Sequence, residues 1–257
     1  MSSSPARHEL DTPAPVDLYV ENGSGTVSVT ADDVTATTVE ISGAHAHEAI
    51  VRQDGDQVSV LAPRTRPGFL GGDGKLDMVL TVPTGSTLAA KTGSADVSAR
   101  GSYRAGRIKT GSGEVVVEVL DGPGVIETGS GDIRVDTADQ ELRVKTGSGD
   151  IRIDHAGGAV TISTGSGDIE IGTCAAATVV KTGSGDLSVT ESRGDLALST
   201  GSGDLVVRTA HRGRISAKGA SGDVRVGIPA GVPVWTDIST VSGDIRSGLD
   251  GVGEPEP

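Results

Sequence analysis

Aromatic side chains make up only 2% of this sequence. That shortage excludes a core built on large rings and the usual aromatic-lined ligand pocket. Cysteine occurs once, as Cys174, so no intramolecular disulfide framework is available. No stretch has the unbroken apolar length of a membrane span, and Met1–Leu10 lacks the apolar centre of a signal peptide. The chain therefore reads as cytoplasmic, with no direct membrane insertion and with peripheral recruitment by a partner left open. An excess of basic charge is also missing: 22 Lys and Arg stand against 35 Asp and Glu, a formal net charge of -13. Such a balance argues against nucleic acid as a partner and against simple electrostatic docking on anionic lipid.

Glycine is abundant, at 39 of 257 residues, and it recurs in a pattern. Thr92, Thr110, Thr128, Thr146, Thr164, Thr182 and Thr200 each open a Thr-Gly-Ser unit, at a strict interval of 18 residues. Five consecutive copies read Thr-Gly-Ser-Gly-Asp and end at Asp132, Asp150, Asp168, Asp186 and Asp204. Copies at both ends degrade, to Thr92-Gly-Ser-Ala-Asp96 on one side and to Ser221-Gly-Asp223 and Ser242-Gly-Asp244 on the other. Decay of this kind marks terminal repeats.

Each unit holds two alternating apolar and polar segments, such as Ile133/Val135 and then Leu142/Val144. These are half-buried strands. A hexapeptide helix fails, because the positions six and twelve beyond Ile133 are Asp139 and Lys145. The pattern predicts an all-β, two-sided parallel solenoid of 18-residue coils, one strand of each coil in each sheet, with branched aliphatics meeting in a narrow lumen. An antiparallel meander with alternating turns has the same period and stays open as the alternative. Residues 1–15 read as disordered, 16–84 as a β-rich amino-terminal cap, 85–247 as the repeat and 248–257 as a disordered acidic tail. Within the cap, Val16–Val20, Thr26–Thr30, Thr37–Ser42, Gln57–Leu61 and Leu76–Val82 are candidate strands, and Arg64–Gly74 is a Gly/Pro loop.

The turn residues have a structural explanation: Gly supplies positive φ, and Ser and Asp bond nearby amides. Stacking would nonetheless align Asp132, Asp150, Asp168, Asp186 and Asp204 in a column of like charges, so they are also the candidate binding residues. Calcium-binding β-rolls complete a coil in a similar length, but they place Gly-Gly-x-Gly-x-Asp in both halves of it. Here only one half carries Gly-Ser-Gly-Asp, and its Asp directly follows the Gly. A single Thr column at a turn is also too narrow to template ice.

Asn22-Gly-Ser-Gly-Thr-Val-Ser-Val29, then Met78-Val-Leu-Thr-Val-Pro-Thr-Gly85, then the Thr-Gly-Ser-Gly-Asp turns occur in that order. In these motifs and their spacing the chain resembles the bacterial DUF4097 family of adhesin-like β-strand-repeat proteins, over roughly residues 16 to 247. The resemblance implies a β-solenoid-like fold, no catalytic residues and, for some members, a link to cell-envelope stress.

Other chemistry-bearing residues read as structural. His45-Ala-His47-Glu48 puts two imidazoles on one face of an extended segment, a metal half-site with no further ligands to complete it. Cys174 reads as a spacer in a small-residue turn, and Trp235 as a plug for the last coil. No cofactor or metal is called for, and seven equivalent turns do not single out one catalytic constellation. The expected function is a non-enzymatic binding or scaffold protein, adhesin-like, whose partner is an unknown protein, peptide or cell-envelope component. A calcium-binding β-roll is the alternative. A carbohydrate-active β-helix enzyme ranks last, because sugar subsites use aromatic platforms and paired carboxylates.

Overall fold

The computed structural model describes residues 5–63, 74–233 and 235. Two sheets run the length of the molecule, and every strand pair from Thr87 onward is parallel. The solenoid is thus the architecture, and the meander is not. Coil after coil follows one rule. Ile133–Ala138 lies in one sheet and Leu142–Ser148 in the other, and residues one repeat later stack directly on them.

The lumen is made by the alternation read from the sequence. Ile133, Val135, Ile151, Ile153, Ile169, Ile171, Leu187 and Val189 from the first sheet are at most 1% exposed. Leu142, Val144, Val160, Ile162, Leu196 and Leu198 face them from the second. Each buried aliphatic of this size contributes roughly 1.5–3 kcal/mol, and β-branched residues fit the pleated surface.

One corner of the lumen varies in size and shows how packing is balanced. Tyr103, Leu120, Ala138, Ala156, Cys174, Ser192 and Ala210 occupy equivalent positions there. Where Leu120 fills the corner, the second sheet offers Gly106 in the strand before it and Gly124 in the strand after it, whose added Cβ would lie 2.8 and 2.7 Å from Leu120. Where the corner residue is small, Leu142, Val160 and Leu196 occupy the same strand position. Large and small residues therefore alternate between the two positions within a coil. Cys174 belongs to this column as a buried packing residue, and burial raises its thiol pKa.

The amino-terminal strands are β1 (Ala6–Asp11), β2 (Asp17–Asn22), β3 (Gly25–Asp32), β4 (Ala36–Gly43), β5 (Ile50–Asp54), β6 (Gln57–Leu61), β7 (Leu76–Pro83), β8 (Thr87–Thr92) and β9 (Asp96–Tyr103). The coil β2–β3 sits between β6–β7 on one side and β8–β9 on the other. Its turn, Asn22-Gly-Ser-Gly25, is the first member of the repeat-turn column, because Asn22 stands in register with Thr92. Chain order and axial order differ here, which hides the register from a linear reading. Antiparallel pairs β1–β4, β4–β7 and β5–β6 finish this end.

Residues 6–11 therefore form a strand, although their sequence has no strand pattern. Only Ala6 of β1 is buried, so the strand is held through backbone pairing with β4 at a sheet edge. Trp235 requires a second correction: it is 71% exposed and does not plug the lumen. Most of Arg64–Gly74, Ser242-Gly-Asp244 and the tail 248–257 lie outside the described residues.

Candidate functional site: the turn column and the two sheet faces

Stacking brings Asp132, Asp150, Asp168, Asp186 and Asp204 into one column. Each carboxylate is used in the same way. Asp132 Oδ1 accepts the amide N–H of Asp150 at 2.9 Å, and the pattern continues through Asp168, Asp186, Asp204 and Asp223 at 2.8–2.9 Å. Asp96 bonds the amide of Glu114 likewise at 2.9 Å. The side chain of one coil thus caps the backbone of the next, and each carboxylate–amide bond offsets the mutual repulsion of the column. The geometry is a ladder, not a cage. Among the described residues no group of three or more His, Cys, Asp or Glu side chains could hold a metal ion, and the calcium-roll alternative gains no support.

Both glycines of the turn are required by the stacking. A Cβ on Gly147, Gly165 or Gly183 would lie 2.5–2.6 Å from the carbonyl oxygen of the preceding coil, and one on Gly131 would lie 1.9 Å from that of Gly113. The turns nevertheless take two forms. In the first, the Thr110 and Thr128 hydroxyls accept the amide N–H of Gly113 and Gly131 at 3.0 Å. In the second, the hydroxyls of Thr146, Thr164, Thr182 and Thr200 donate to the carbonyls of Ser148, Ser166, Ser184 and Ser202 at 2.9–3.0 Å. There Gly149, Gly167, Gly185 and Gly203 have φ of +131, +120, +132 and +148°.

Beside the Asp column runs an open groove of about 420 Å³, lined by Asp132, Arg134, Asp150, Arg152, Asp168 and Glu170 among others. Its cations are committed to neighbours. Arg134 pairs with Asp136 and Asp154, both at 2.9 Å, and Arg152 with Asp154 at 2.8 Å and Glu170 at 2.6 Å. Of these exposed pairs, Arg134–Asp154 and Arg152–Glu170 tie adjacent coils together with modest energy.

The opposite sheet presents a different face. Lys91, Lys109, Glu127, Lys145, Ser163, Lys181, Ser199 and Lys218 share one outward ladder position. Arg107, Val125, Arg143, Thr161, Val179, Ala197 and Ser216 share the neighbouring one. The sequence reading missed this face because it treated charge as one sum. The available signal was Lys at the same position of alternate repeat units.

The remaining candidates stay apart. His45 lies at φ +67° before the short 3-10 turn Ala46–Glu48, so this segment is not extended, and buried Ala46 draws the turn inward. His45 Nδ1 pairs with Glu48 Oε1 at 2.7 Å. His211 Nε2 lies 3.8 Å from Glu191. No helix among the described residues is long and apolar enough to cross a membrane.

Among solved structures, a putative adhesin from Bacteroides fragilis is similar at 16% identity and a TM-score of 0.48, covering 88% of this chain and 98% of its own. A putative lipid binding protein from Parabacteroides distasonis is similar at 16% identity and a TM-score of 0.43, covering 86% and 97%. A putative cell adhesion protein from Clostridium sporogenes is similar at 11% identity and a TM-score of 0.31, covering 87% and 100%. No functionally curated protein matches the chain. The model of the Toastrack DUF4097 family matches residues 15–173 and 126–254. Together these two matches span most of the sequence, and the chain belongs to the DUF4097 (Toastrack) family.

Proposed function

We propose that this protein is a non-catalytic, adhesin-like binding scaffold that presents its long, regular sheet faces to a protein, a peptide or a cell-envelope component. The observation that carries this reading is the unbroken registry of outward side chains, each position repeated coil after coil. Such a surface suits a long partner contacted at many equivalent points, and quasi-one-dimensional repeats offer it without needing a pocket. The two recesses of about 420 and 320 Å³ lie open along the sheet faces. In this reading Asp132, Asp150, Asp168, Asp186 and Asp204 serve mainly to hold the coils in register, and they contact a partner only along the groove beside them.

The test is affinity capture with the full chain from native lysate, with membrane and wall fractions included, followed by cross-linking. A partner retained at physiological salt and contacting one sheet face is expected. Recovery of no partner from any fraction would overturn the reading.

A further inference from the structure

The acidic total of the chain conceals a face of the opposite sign. On the second sheet, from Ala105 onward, cations occur in every second coil. Arg107 and Lys109 lie in one coil, Arg143 and Lys145 two coils on, Lys181 two coils further, and Lys218 two coils beyond that. The coils between present Val125 with Glu127, Thr161 with Ser163, and Ala197 with Ser199. An 18-residue structural repeat thus carries a charge pattern twice as long. Stacked coils lie about 4.8 Å apart, so the positive charges recur at roughly 10 Å along the axis.

Several of these cations are uncommitted. Among the described residues Arg107, Lys145, Lys181 and Lys218 make no ion pair, and all four are exposed. This contrasts with Arg134 and Arg152 on the other sheet, each of which bridges two acids. Glu127 reports the local field. A hydrogen bond from Lys109, reinforced by the charges of Lys109, Lys145 and Arg107, holds its carboxyl below the ordinary value. The face is positive enough to favour an anion at its one acidic position in this ladder stretch.

We infer that this face binds a linear acidic polysaccharide lying along the solenoid axis, with one carboxylate to every two coils and neutral sugar over the coils between, the first of which carries Glu127, tied to Lys109 at 3.0 Å, and the later two hydroxyls. The inference rests on the proposed scaffold role and names its partner class. Spacing decides among polyanions. Double-stranded DNA carries a charge about every 1.7 Å along its axis, far denser than this ladder. Single-stranded nucleic acid is held by aromatic platforms, which the face lacks. An extended disaccharide has about the length of two coils, and a polymer with one uronate per disaccharide matches the period. Ser163, Ser199 and Thr161 supply hydroxyls at the neutral positions, and small side chains keep the track open. The shortage of aromatics disfavours neutral sugars, which rely on stacking, but places no bar on an acidic one held by ion pairs.

The experiment uses the full chain and hyaluronan oligosaccharides, a linear polymer with one carboxylate per disaccharide, in titration calorimetry at low and physiological salt. Binding that weakens as salt rises is expected, with loss of at least tenfold in affinity for Lys145→Glu/Lys181→Glu. Arg208→Glu, on the other sheet, should bind as the parent does. Equal melting temperatures keep the comparison to folded proteins. Absence of hyaluronan binding, an unaffected double charge reversal, or binding only to single-stranded DNA or phosphatidylglycerol vesicles would each overturn the inference. Recovery of a protein partner on the Asp-lined face, with hyaluronan ignored, would overturn this inference while leaving the scaffold reading standing.

Discussion

Asp168 shows how little chemistry is needed to hold a coil in place. Its Oδ1 accepts the Asp186 amide at 2.9 Å, while its own amide donates to Asp150. Removing the acceptor forfeits about 1 kcal/mol, whereas removing only the charge relieves repulsion on the order of 0.8 kcal/mol per carboxylate pair about 5 Å apart in water. The two effects separate by substitution. Asp168→Asn keeps an acceptor and should be at least as stable as the parent, and Asp168→Ala, which loses the same charge and the acceptor as well, should be less stable than Asp168→Asn by about 1 kcal/mol. Urea titrations with unchanged m-values check the order, and an Asn variant weaker than the Ala variant would refute the capping role. The residue type was legible as a turn former. Its partner was not, because the amide it bonds lies one full coil away.

At the scale of the strand and its corner, size must be conserved jointly. Gly124→Leu would drive its side chain into Leu120 and Leu142, whose Cδ1 atoms lie 2.7 and 2.9 Å from the added Cβ alone. Overpacking of this kind costs typically 1–3 kcal/mol, and Leu120→Ala by itself opens a cavity costing about 2–5 kcal/mol. Combined, the substitutions reproduce the Ala138/Leu142 arrangement found one coil on, so the double variant should be more stable than the sum of the single losses allows. A double-mutant cycle with additive losses would show that the corner is not packed as described. The alternating strands themselves were evident from sequence, since Ile133/Val135 and Leu142/Val144 state which side faces inward. The coil β2–β3 was harder to place. Its neighbours β6, β7, β8 and β9 are remote in sequence, and no local period marks them.

For the whole molecule, the solenoid predicts that stability is distributed among coils and their interfaces. Deletion of residues 151–168 removes one complete coil and rejoins equivalent positions, so a shorter folded solenoid should result, with a smaller m-value and a still cooperative transition. A nine-residue deletion of 151–159 would send each following strand to the wrong sheet and should abolish cooperative folding. Circular dichroism and denaturant melts measure both, and equal outcomes for the two deletions would contradict the stacked-coil architecture. The same scale governs charge. A net charge of -13 describes the chain, but among the described residues the fold pairs Arg134 and Arg152 with acids on one outer face, leaves Arg107, Lys145, Lys181 and Lys218 without an ion pair on the other, and only that arrangement gives a face to a partner.

Tertiary structure decided that the coils stack in parallel as two sheets and not as a meander, whereas sequence alone determined the period, the strand alternation and the glycine-bearing turn, because each follows from local geometry repeated without slippage. Sequence could not determine the form of that turn. Residues 128–132 and 146–150 are both Thr-Gly-Ser-Gly-Asp, yet Gly131 lies outside the positive-φ region and Gly149 is at +131°. The physical reason lies in stacking. Ala95, at the equivalent position of the flanking copy, resists positive φ, and Gly113 and Gly131 stack on it in turn through close backbone contacts. Beyond them the column consists of glycine alone and adopts the other form. Identical pentapeptides differ because each is bonded to a different neighbouring coil, and that neighbour is supplied only by the tertiary structure.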